Sequence, residues 1–188
     1  MTGKKDCPAS SCAIEVEESD KDIILFAKSE INPEATITPC RYGKKHNIRI
    51  SFNGTMLCKY LEPYGIVKNK SKTIACVPKD LIPKELLRFY FRGLIDGDGC
   101  IGQTGRISIY SGSEKFISSV QEVLCDELGV SKLKIYHGTS YFVSWSRKED
   151  RQKFYNYLYG DALDSTFYYK RKYNRLYNSL YANTEVNS

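Results

Sequence analysis

Apolar and polar residues alternate from Cys12 to Glu17, with Ile14 and Val16 on one face, which predicts a half-buried strand. A helix follows in expectation, opened by Ser19 and Asp22 as a capping pair and turning Ile24, Ala27 and Ile31 inward. Two more alternating stretches, Ala35–Tyr42 and Asn47–Phe52, read as a hairpin around the Gly-Lys-Lys-His turn at 43–46. A second helix carries Met56, Leu57, Tyr60 and Leu61 and stops near Gly65. The same succession then returns. Arg106–Ser111 alternates around Ile107 and Ile109, and a helix with Phe116, Ile117, Val120, Leu124 and Leu128 runs to Gly129. Lys132–His137 and Tyr141–Ser146 form the second expected hairpin across Gly138, and a helix with Phe154, Tyr157 and Leu158 stops at Gly160.

Ile14 and Ile107 are 93 positions apart; Ile48 and Val143, like Gly65 and Gly160, are 95 apart. Each copy is thus strand, helix, two-strand hairpin, helix, which predicts an α+β fold of two related halves. They differ at the front. Before the second copy, Pro83 opens a helical stretch with Leu87, Phe91 and Leu94 at helical spacing, ending in the run Gly93 to Gly99. The first copy lacks that helix: at an offset of 93, Lys5 falls opposite Asp98 and Cys7 opposite Cys100. The expected organisation is 1–83, a first repeat without its leading helix; 84–181, a complete second repeat; and a tail, 182–188.

Composition narrows the class. With 41% hydrophobic and 27% charged residues over 188 positions, the chain reads as globular. No apolar run reaches the ~20 residues of a membrane helix, and the first nine residues are polar, unlike a secretory signal. Seven cysteines without a C-x-x-C pair and only two histidines argue against a disulfide framework or structural zinc, so an intracellular, reducing compartment is expected. The net charge of +6 is unevenly spread. Residues 41–79 hold nine Lys and Arg against the single acid Glu62, and 147–175 hold eight against four. Two basic blocks fit a polyanion partner; solvated basic faces are the plainer alternative.

Gly93 and Gly97 lie four apart on one helix face, where missing side chains let another backbone approach closely. Asp98, just beyond, then sits at the foot of a helix–helix interface, a position suited to Mg²⁺, which takes one or two carboxylates and keeps waters and phosphate oxygens. Asp-Gly-Asp-Gly is also good turn chemistry, so a plain turn is the other reading of the same residues.

Phe91-Arg92-Gly93-Leu94-Ile95-Asp96-Gly97-Asp98-Gly99 resembles the signature helix of the LAGLIDADG homing endonucleases, departing from it at the first, second and seventh positions. The second repeat follows the family's architecture through Tyr-Tyr-Lys-Arg-Lys-Tyr at 168–173. The resemblance implies two αββαββα-type repeats whose antiparallel sheets form a DNA-binding saddle and whose signature helices pair at the centre. It implies that Asp98 is the metal-binding carboxylate and Asp96 a structural capping residue. A basic residue beside each metal is also implied, with Lys68 or Lys70 the best match in the first half and Lys170 a weaker one in the second.

The strand faces add a reading of their own. With the isoleucines inward, Asn47, Arg49 and Ser51, then Arg106, Ser108 and Tyr110, then Lys132, Lys134 and Tyr136 point outward, residue types that read base edges and hold phosphates. Glu15 and Glu17 on the first strand dissent. The expected function is site-specific, Mg²⁺-dependent hydrolysis of both strands of DNA in the major groove. The alternative is a non-catalytic nucleic-acid-binding protein on the same scaffold, a maturase or a degenerate or fragmentary family member. With one signature helix, the chain is expected to self-associate, to borrow a second LAGLIDADG helix, or to have lost cleavage. Intein splicing is not expected, since no His-Asn pair ends the chain.

Overall fold

The computed structural model describes residues 11–43, 45–67, 74–160 and 168–182. They fall into two compact units, Met1–Lys68 and Asn69–Ser188.

The first unit runs β1 (Ser11–Glu17), α1 (Lys21–Ile31), β2 (Ile37–Tyr42), β3 (Lys45–Asn53) and α2 (Thr55–Leu61). Its sheet is antiparallel in the order β1-β3-β2. The isoleucines set the register: Ile14 and Ile37 both pair with Ile50, and Val16 with Ile48. Ile50 and Phe52 bury their side chains with Ile24 and Ala27 of α1. Tyr42 pairs with Lys45 and Gly43 has φ of 61°, so the turn is shorter than the 43–46 span expected.

Three sequence expectations fail here. A 3₁₀ turn at Glu18–Asp20 leads into α1, and no side chain caps that helix, so Ser19 is not its cap. Ile31, in the last turn of α1 before the chain extends at Asn32, is 50% exposed. In α2, Met56 and Tyr60 are 62% and 67% exposed and Cys58 is buried instead, because a seven-residue helix turns only a narrow face inward.

The second unit runs α3 (Lys84–Asp98), β4 (Gly99–Ile101), β5 (Ile107–Ser111), α4 (Glu114–Leu128), β6 (Tyr136–His137), β7 (Tyr141–Trp145), α5 (Lys148–Tyr159) and α6 (Lys170–Tyr181). Its antiparallel sheet has the order β4-β5-β7-β6. The last three strands repeat the order of the first unit, with β4 added at the edge. Leu87, Phe91 and Ile95 of α3 join Ile107, Ile109, Ile117, Trp145, Phe154 and Leu176 in one core. Leu94 is half-buried against this core, and the fully buried face of α3 follows the i, i+4 step 87, 91, 95.

The unit boundary also moves from 83 to 68. Val77 is buried in the second core and its N–H donates to the Ser119 hydroxyl at 3.0 Å, which ties the lead-in to α3 into this unit. The expected strand 132–137 shrinks to Tyr136–His137. Side chains take the backbone groups that a ladder would use: Leu133 N–H goes to Gln121 Oε1, Ser131 N–H to Asp150 at 3.0 Å, and Ser131 O to Trp145 Nε1 at 2.8 Å.

Candidate active site

The site begins at the foot of α3. An α-helix ends with carbonyls that have no partner inside it. Here Lys172, buried in the first turn of α6, meets that need with its three ammonium hydrogens. Nζ donates to the carbonyls of Ile95, Asp96 and Gly99 at 2.7, 2.6 and 2.9 Å. The reverse bond comes from Asp96, whose Oδ2 accepts the Tyr169 N–H at 3.1 Å where α6 begins. An acid thus holds the start of α6 and a base the end of α3. Burial pushes the Asp96 carboxyl up to about 6, against the backbone hydrogen bond from Tyr169 and the nearby Lys172. Its Oδ1 is buried with no hydrogen-bond partner among the described residues.

Asp98 is the last residue of α3, between the clamped carbonyls of Asp96 and Gly99, and it is exposed. Its carboxylate makes no hydrogen bond or ion pair with a described residue. A Cβ at Gly93 or Gly97 would meet no described atom within 4 Å, so among the described residues of this unit these glycines leave one face of α3 bare. Lys170 is exposed at the start of α6. Lys172, two residues on, is the basic residue at the foot of the helix, and the sequence reading missed it. Lys68 and Lys70 lie outside the described residues, as does the tail from 183.

The sheet faces distribute the expected contacts unevenly. In the first unit Arg49 is exposed, with Glu15 and Thr38 opposite it on the flanking strands. Ser51 and Asn47 are half-buried, and Asn47 Nδ2 donates to Glu15 Oε1 at 2.9 Å. In the second unit Arg106, Tyr110, Lys132 and Lys134 are exposed. Ser108 is not: it is 6% exposed, hemmed between Cys100 and Ser144 on the neighbouring strands, with its hydroxyl 2.6 Å from that of Ser144. Phe142 and Ser144 share this outward face. The alternation of 141–146 carries that information, since Val143 and Trp145 must face the core.

Residues 85–159 match the LAGLIDADG-like domain family. No curated protein matches the chain significantly. Solved structures do. The K262A mutant of I-SmaMI aligns with 93% of this chain and 81% of its own at 11% identity and a TM-score of 0.61. I-DmoI in complex with DNA and Mn aligns with 79% and 81% at 16% identity and 0.53. The N-terminal LAGLIDADG domain of DUF199/WhiA aligns with 92% and 79% at 12% identity and 0.55. The chain therefore has the LAGLIDADG homing-endonuclease fold. The described residues include no helix long and apolar enough to cross a membrane.

Proposed function

We propose that this chain is a homing-type endonuclease that cuts both strands of a specific DNA site with Mg²⁺ or another divalent cation. One observation carries the reading: Asp98 is an exposed carboxylate, engaged by no described residue, at the end of a LAGLIDADG-like helix whose last turn is clamped by Lys172. The donor set fits the ion, because Mg²⁺ is held by few carboxylates with water and phosphate oxygens completing the shell. When bound, it would stabilise charge on the phosphodiester and help generate the attacking hydroxide. Asp98 supplies the protein oxygen, and the clamp fixes where that oxygen stands. Arg49, Arg106, Lys132 and Lys134 hold phosphates or base edges of a duplex, and Asn47, Ser51 and Tyr110 border them. Lys68 and Lys70 are retained as the basic residues of the first half. The bare Gly93 and Gly97 face is where a second signature helix, from another copy or another polypeptide, brings a second carboxylate.

A second reading has its own support: the described residues contain one signature helix and one such carboxylate, which suits a nucleic-acid-binding protein without cleavage. A library of random duplexes tests both. Double-strand breaks that appear only with a divalent cation support the endonuclease. Duplex binding without breaks under any divalent cation assigns the binding protein.

A further inference from the structure

The outward face of the second sheet carries a row of rings. Tyr110 on β5, Phe142 on β7 and Tyr136 on β6 stand at one level of the ladder. Their centroids are 5.4 and 5.5 Å apart and their planes tilt by only 31° and 23°. Tyr110 and Tyr136 are 38% and 51% exposed, and the Lys134 ammonium lies 5.7 Å from the Tyr136 ring centre.

Between the rims the polar side chains are two tyrosines and two serines. The outward positions of these four strands are Cys100, Ser108, Tyr110, Tyr136, Phe142 and Ser144. None is an Asn or Gln that could pair with adenine, an Asp or Glu that could accept from cytosine, or an Arg for guanine. The two serine hydroxyls already bond to each other. What such a face can still distinguish is apolar. The major groove offers one apolar group, the C5-methyl of thymine. Arg106 and Lys134 at the rims suit the phosphates on either side.

We propose that the second unit reads thymine methyl groups in the major groove through Tyr110, Phe142 and Tyr136. The inference rests on the reading that this sheet meets duplex DNA. Gly99 pairs with Ile109, so Asp98 and Tyr110 stand at adjoining ends of the same ladder level, and the thymines flank the phosphate that Asp98 serves.

The test selects binding sites from random duplexes with the full chain, then replaces thymine by deoxyuracil in the selected sites. The expected result is a cluster of T·A pairs and a loss of about fourfold in affinity per contacted methyl, the value of one buried methyl-sized group. The double substitution Tyr110→Ser and Tyr136→Ser should shrink the difference in affinity between thymine and deoxyuracil sites. Selected sites indifferent to deoxyuracil overturn this inference and leave the duplex reading intact. Failure to enrich any duplex, or tighter binding to the single strands, overturns both.

Discussion

At the residue scale, the clamp at the foot of α3 sets the account's chemistry. Replacing Lys172 by Met removes a buried ammonium from three carbonyls, of which that of Ile95 keeps the Gly99 N–H, and should cost about 3 kcal/mol in urea unfolding, the upper range for hydrogen bonds to a charged group. The exposed Lys170→Met should change stability by less than about 0.5 kcal/mol. Asp96 makes a pH prediction. The folded protein keeps its proton up to about pH 6, whereas the unfolded chain releases it near 3.8. Between those values the folded state binds more protons, so this group's contribution is full below pH 4, falls as pH rises to 6, and is gone above. A shift of about two units corresponds to about 3 kcal/mol. Asp96→Asn keeps an acceptor for the Tyr169 N–H and stays neutral, so it should flatten that slope. A slope unchanged in the variant would refute the assignment.

At the element scale, the helices and strands were legible wherever one period dominated. The glycine stops at 65 and 129 are left-handed as their positions implied, with φ of 78° and 64°. What was not legible came from side chains reaching across the fold. Gln121 and Asp150 take the backbone of residues 131–133 from a ladder, and no local pattern announces that. The pairing of Ser108 with Ser144 is of the same kind, since alternation assigns a face but not what covers it. Lys172 looked like one of a basic cluster until the end of α3 was placed beside it. Gly105 adds a test at this scale. It closes the β4–β5 hairpin at φ of 75°, where a Cβ would collide with Ser179. Gly105→Ala should therefore destabilise the second unit by about 2 kcal/mol or more, through backbone strain and overpacking together.

At the scale of the whole molecule, the two halves share a strand order but not a core. The buried cluster of the second unit draws on four helices and includes Trp145, the chain's single tryptophan; that of the first rests on Ile24, Ala27, Ala35, Ile50 and Phe52. Amides of β1 and β3 should accordingly exchange hydrogen through openings of lower free energy than those of β5 and β7. Equal protection in the two sheets would contradict this. Tyr60 and Tyr64 stand 95 positions before Tyr155 and Tyr159, which pack against Tyr173 of α6; Tyr60 is 67% exposed and Tyr64 37%. The repeat thus persists in sequence, although the described residues of the first unit include no α-helix after α2 to cover these rings.

The measurement that bears most directly on the proposed chemistry compares the chain with its Asp98→Asn variant on one selected duplex. Binding is read in Ca²⁺ and cleavage in Mg²⁺. The account predicts affinities within about twofold and a cleavage rate reduced at least about a thousandfold, the loss of roughly 4 kcal/mol of transition-state stabilisation. Cleavage by the variant at the parent rate would remove Asp98 from the metal site and the central claim with it.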